Sequence, residues 1–287
     1  MGINNLRFLG TLAGLIFCLL FITWSGIMSN SLPEVARCGD VESINTLINT
    51  GSYKNSKDDA GWFPLHHASK NDELSAMARY LKKGAKIEEK TDHGFTALHV
   101  AAYNGINNAL EFLLERGANL EERTLQGFTP LHMAVIGDRK ETVKLLIAKG
   151  ALVTACDNEK NTVIHFSAET GNVVIMDFLV SSGAKTGVAN KDGASPLGKA
   201  ICLLKKEAVV FLVNNGAKIN ESTSDGHTPL HMAVIMGAFD IAKVLIDKGA
   251  FIDAKNNKGL TPLHYATLFN KEKLAKLLIA KGASEAQ

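Results

Sequence analysis

A step of 33 residues governs this chain. Leu65, Leu98, Leu131, Ile164, Leu197, Leu230 and Leu263 stand one step apart, and so do Gly51, Gly84, Gly117, Gly150, Gly183, Gly216, Gly249 and Gly282. Two registers with one period and no slip leave few folds open. A unit of this length is too small to bury its own apolar face, so stacked copies must share a continuous core. The chain is therefore expected to be an array of small supersecondary units.

The residues around the two registers say what each unit contains. Thr or Ser stands before Pro at Thr129, Ser195, Thr228 and Thr261. That pair suits an N-cap followed by proline at the first helical position. The second glycine register suits the left-handed residue that closes a helix. Counting back from each of these glycines, positions −3, −4 and −7 are apolar in all eight units, from Ile48, Leu47 and Ile44 to Ile279, Leu278 and Ala275. The spacing predicts one buried helical stripe. Gly61, Gly94, Gly127, Gly193, Gly226 and Gly259 precede the first helix of their units, where a turn calls for positive φ.

Thr-Pro-Leu-His is written out at Thr129–His132, Thr228–His231 and Thr261–His264, with near-copies starting at Phe63, Thr96, Thr162 and Ser195. With that word and that period, the chain resembles the ankyrin family over residues 32–287. The resemblance implies an all-α solenoid of helix-turn-helix units with β-hairpin loops projecting from one edge. The units expected are a partial N-terminal cap at 32–58, then repeats at 60–89, 93–122, 126–155, 159–188, 192–221, 225–254 and 258–287. The repeat at 192–221 is degenerate: Gly198 replaces the repeated histidine and Leu204 the usual glycine between helices. It is expected to be the most distorted. Lys160 stands where a turn glycine belongs, at a cost of about 1 kcal/mol if its φ is positive, and Phe63 replaces a capping threonine. The last unit carries Lys271, Glu272, Lys273, Lys276 and Lys281, a polar surface suited to a C-terminal cap.

Residues 1–31 do not share the period. Phe8–Met28 is an uncharged run of 21 residues behind Arg7, read as a hydrophobic helix that is either a secretory signal peptide or a single membrane anchor. Small residues at Thr23-Trp24-Ser25 and Ser29-Asn30-Ser31 offer cleavage sites. With Arg7 before the run and Arg37 the next basic residue, either reading puts the repeats on the non-cytoplasmic side. Gly10 and Gly14 form a small-residue pair that a spanning helix could use to dimerise. Cys18 follows Ile16 and Phe17, which is not a lipoprotein context.

Several chemistries are set aside. With 31 basic and 29 acidic residues the net charge is +2, too weak a field to suggest nucleic acid. Cys38, Cys156 and Cys202 fall in units that are not neighbours, so no disulfide is expected among them. His66, His99, His132, His165, His231 and His264 recur at the repeat spacing. Stacked elements lie about 8–10 Å apart, whereas zinc ligands lie about 2 Å from one shared ion. These histidines are therefore assigned to the scaffold, not to a metal. Gly193–Ala200 resembles a phosphate loop but lacks its final hydroxyl residue and the strand that should precede it. No catalytic residue, metal or cofactor is expected, and no small-molecule substrate.

What remains is protein binding. In the family this chain resembles, partners contact hairpin tips and the exposed face of the first helices. The tip positions here hold Trp62, Phe95 and Phe128, with Tyr103 and Asn104 on the neighbouring helix; such rings make good interface anchors, or pack as satellite core. A second candidate face holds Ile235, Met236, Leu268 and Phe269, extended by Cys202 and Leu203, with Glu169-Thr170 as a polar gap between the two. The expected function is a non-catalytic protein-interaction module, membrane-tethered or exported. The alternatives are a secreted effector of a host-associated microbe acting on host proteins, and a structural tether that dimerises through its N-terminal helix.

Overall fold

Among the described residues, each unit of the register folds into two short helices. The computed structural model describes residues 57–58 and 60–284. In chain order its helices are α1 (Pro64–Lys70), α2 (Leu74–Lys82), α3 (Ala97–Asn104), α4 (Asn107–Glu115), α5 (Pro130–Ile136), α6 (Lys140–Ala148), α7 (Val163–Thr170), α8 (Val173–Ser181), α9 (Pro196–Cys202), α10 (Lys206–Asn214), α11 (Pro229–Ile235), α12 (Phe239–Asp247), α13 (Pro262–Leu268) and α14 (Glu272–Ala280). The side-chain oxygens of Thr129, Thr228 and Thr261 accept from the backbone N–H three residues on, and Ser195 does so from Gly198. This satisfies one of the orphan donors of each helix start. Phe63 has no such oxygen, and α1 begins without a side-chain cap.

The glycines that close the second helices, from Gly84 to Gly282, all have φ between 83° and 98°. Five non-glycine residues are forced into the same left-handed region by the register, Asp72, Asp138 and Asn270 at the place between helices as well as Lys160 and Leu204. Lys160 has φ 61° at the turn place, and Leu204 has φ 57° at the place between helices. Each carries a backbone cost of about 1–2 kcal/mol that its glycine counterparts escape.

The buried stripe of the second helices differs from the expected one. Positions −4 and −7 are core, as in Leu146 and Val143 or Leu212 and Val209. Position −3 is only half-buried, or exposed as at Ile279, and −8 takes its place, as in Ile175, Ala208 and Ile241. The pair −8 and −4 is four residues apart and shares a face with −7, whereas −3 has rotated toward solvent.

The repeat at 192–221 is not distorted. Helices α9 and α10 have the lengths of their counterparts. Gly198 is accommodated because Ser195 still caps its N–H at 3.2 Å. The Met232 side chain also closes on the space, with its Cε 3.4 Å from where a Cβ on Gly198 would stand.

The hairpin loops contain no strand among the described residues, only an isolated bridge between Cys156 and Thr162. Each loop is closed by a short turn, as where Thr124 N–H donates to Phe128 and Gly127 N–H to Thr124. Two bonds are too few to extend a ladder. The class is therefore all-helical.

The described residues group into two units: one up to Leu98 together with Asn108–Ala118, the other His99–Asn107 together with Asn119 onward. In the first, α1 packs on α2. In the second, α5, α7, α9, α11 and α13 pack side by side as one layer, and α6, α8, α10, α12 and α14 as another. The apolar run at 8–28, Cys18, Cys38 and most of the leading cap at 32–58 lie outside the described residues. No helix among the described residues is long and apolar enough to cross a membrane.

Candidate protein-binding surface

The repeated histidines are scaffold, and the geometry gives the reason. Nδ1 of His66, His132, His165, His231 and His264 accepts from the backbone N–H of the residue that starts its helix, at 3.1–3.2 Å. That places the ring proton on Nε2. Nε2 then donates to the tip carbonyl one unit on: His66 to Phe95 at 2.9 Å, His99 to Phe128 at 3.0 Å, His165 to Ala194 at 3.2 Å and His231 to Leu260 at 3.0 Å. The exception is His132, whose Nε2 faces the Asn161 carbonyl but falls outside hydrogen-bonding geometry and is left unsatisfied. Burial drives the rings of His66, His132, His165 and His231 toward the neutral form. The pKa falls to about 4 for His66 and His165 and to about 3 for His132, and it is lowered for His231. In His66, His165 and His231 both nitrogens are committed, which leaves those rings no lone pair for an ion. Among the described residues no cluster of His, Cys, Asp or Glu is placed to hold a metal. Cys156 and Cys202 are free thiols.

The tip aromatics fold inward. Trp62 is 8% exposed and Phe128 6%, while Phe95 is half-buried. The Trp62 ring lies 5.0 Å from His67, and Phe128 meets Phe166 edge-on at 5.5 Å. Both rings thus contribute to satellite core, and little of either is offered to a partner. Tyr103 and Asn104 are half-exposed; Asn104 uses its amide on the Val100 carbonyl at 2.8 Å. The second face is different. Ile235 is half-buried, but Met236 is 43% exposed, Phe269 45% and Leu268 65%. Cys202 and Leu203 are half-buried beside them.

Two arrangements were not anticipated. The first joins α7 to α9, where Lys199 Nζ lies 2.8 Å from Glu169 Oε1 and the side chains are only 8% and 10% exposed. The places of Lys199 in the other units hold His67, Val100, Met133, Phe166, Met232 and Tyr265. A lysine in that apolar column was the available signal. The second joins His227 Nε2, Tyr265 Oη and Asn256 Nδ2. Tyr265 lies 2.9 Å from His227, and Asn256 donates to Tyr265 at 2.9 Å. Burial lowers the His227 pKa, so this ring too is neutral at pH 7. Tyr265 in turn stacks on Phe269 with centroids 5.9 Å apart. These groups lie in different units, so no local motif announces them.

The repeat word and the paired helices have a counterpart among known proteins. The model for ankyrin repeats in three copies matches residues 32–124, 120–190, 173–256 and 197–286. The chain belongs to the ankyrin repeat family. Among solved structures it is similar to the ankyrin repeat domain of human ASB11, with a TM-score of 0.69 and 24% identity over 78% of this chain and all of that one. At that identity the likeness carries the fold alone. A comparison with curated protein sequences gave no significant match. Ankyrin repeats are protein-interaction modules, which is the coarse function the family assigns here.

Proposed function

We propose that this ankyrin chain is a non-catalytic binding module that engages a protein partner through the first-helix face of its last three units, at Met236, Leu268 and Phe269. The observation that carries the reading is their exposure. A terminal unit is expected to present a polar face, yet α13 ends on two large apolar side chains that water reaches. Met236 lies inside the array and is exposed as well. Contiguous apolar surface of this kind marks interaction sites. The tip aromatics, first choice on sequence, are ranked below it because Trp62 and Phe128 are buried.

The setting we propose is a membrane tether or export, with the repeats on the non-cytoplasmic side, supported by the uncharged run at 8–28 behind Arg7. The test is a photo-crosslinking residue placed at Met236 or Leu268 in the full chain, with Lys149 as a control site. A discrete adduct at the first two sites and none at Lys149 is expected. Equal labelling at all three would overturn the reading. N-terminal sequencing of the mature protein reports on the leader, and carbonate extraction separates a tether from a secreted protein.

A further inference from the structure

We infer that the ends of α9, α11 and α13 form a ledge for one kind of partner: an apolar protein segment flanked by carboxylates. This deepens the interaction reading above and rests on it.

Leu203, Met236 and Phe269 hold the same place, the residue that closes the first helix, in three consecutive units. The two preceding units have Gly137 and Thr170 there. The apolar row is therefore a property of these last three units and not of the repeat. Leu204 and Leu268, both exposed, widen it. Phe269 is held in place: it stacks on Tyr265, whose hydroxyl is fixed by His227 and Asn256. A ring already immobilised loses little freedom on binding.

Two cations flank the row. The Lys205 side chain lies over Gly171, where an added Cβ would stand 2.9 Å from its Cδ. Lys271 reaches back over Gly237, with Nζ 3.3 Å from the corresponding point and therefore beside Met236. Neither lysine joins an ion pair among the described residues. The carboxylates nearest in sequence are otherwise committed. Asp240 faces Lys206 at 4.0 Å, and Glu207 and Glu272 sit in the first turns of α10 and α14, where the helix dipole favours negative charge. The two ammonium groups thus ask for acidic flanks on whatever covers the row. They also argue against a second copy as the occupant, because a two-fold contact would place like charges against one another. Three stacked units at about 8–10 Å spacing give a ledge roughly 20 Å long, which about six extended residues would cover.

The experiment uses the full chain in nanodiscs and fluorescence anisotropy with three labelled probes of roughly twelve residues, long enough to span the ledge with flanks. One has an apolar centre and Glu flanks, one the same centre with Lys flanks, one a Ser centre with Glu flanks. The Glu-flanked apolar probe is expected to bind at least about tenfold tighter than either other, and to weaken with salt. Met236→Ser with Phe269→Ser should abolish that preference, and Lys205→Glu with Lys271→Glu should invert the order of the Glu- and Lys-flanked probes. Unchanged melting temperatures keep misfolding out of both results. Equal binding of the Glu- and Lys-flanked probes, or selectivity that survives both double variants, overturns the proposal. If crosslinking at Met236 still captures a partner while the probes are not discriminated, only the assignment of partner chemistry falls; if neither is seen, both readings fall.

Discussion

Replacing the buried Glu169–Lys199 pair gives a sharp energetic test, because the register supplies its own control residues. Where Lys199 stands, two other units have Met133 and Met232; where Glu169 stands, two have Ile136 and Ile235. The variant Lys199→Met/Glu169→Ile therefore makes this unit resemble its neighbours. At 2.8 Å the two charges attract by about 6 kcal/mol for an effective dielectric of about 20. Withdrawing them from water costs several kcal/mol per ion, so the pair gains little over an apolar replacement. Removing one partner is another matter, since the survivor stays buried without its counter-charge, at a cost of about 3–5 kcal/mol.

The expected pattern is thus non-additive. Lys199→Met alone should lower the melting temperature by roughly 6–20 °C, taking about 2–4 °C per kcal/mol for a chain of this size. The double variant should melt at or above the parent, since such replacements are often neutral or stabilising by about 1–4 kcal/mol. Thermal unfolding by circular dichroism at pH 7.5 reads both, and urea midpoints check them. If the double variant loses as much as the two singles together, the reasoning from burial is wrong.

Three further outcomes follow from the same geometry. Gly137→Ala should cost more than 2 kcal/mol, by the mechanism of backbone overpacking, because its Cβ would be driven against the Tyr103 carbonyl oxygen; Gly150→Ala, whose Cβ meets nothing, should cost only the left-handed penalty of about 1–2 kcal/mol. Stability should be flat above pH 6.5 and fall between pH 6.5 and about 4, because His66, His132 and His165 bind protons in the unfolded chain before the folded one. The slope for the three together is about 4 kcal/mol per pH unit, readable as the pH dependence of the urea midpoint, and a flat profile from pH 7 to 5 would contradict it. Phe128→Ala should destabilise by about 3–5 kcal/mol as a core truncation, whereas Leu268→Ala should change stability by less than about 1 kcal/mol; equal effects in thermal melts would mean the ring is not core.

The scaffold was legible because its constraints are local and repeated. A Thr-Pro pair must cap and start a helix wherever it stands, and a glycine after a helix must close it. Lys160 and Leu204 show how strictly the register rules: the backbone takes φ 61° and 57° there although the side chains oppose it. Gly198 shows the converse. A missing side chain does not distort a unit when the next one can fill the gap, and the sequence of one unit does not say what the Met232 side chain of its neighbour will do.

The candidate surface was less legible, and the tip aromatics explain why. Periodicity places the Cα of Trp62 and of Phe128 at one point of the turn, but leaves undetermined which side of the loop the ring takes. That depends on the partner available: His67 for Trp62, Phe166 for Phe128. Both partners sit in the column that holds Lys199 in its own unit. Its own tip residue is Ala194 and the tip one unit before is Asn161, so no ring competes for the space and an ion pair fills it. Tip and column therefore vary together, and only their combination tells a buried ring from an exposed one. At the far end Tyr265 occupies the column and Leu260 the tip. The Tyr265 ring is consequently free to bond His227 and to brace Phe269. The ledge at the end of the array is the product of that exchange, which is why it could be suspected from apolar residues in the sequence but not ranked above the aromatic tips without the packing.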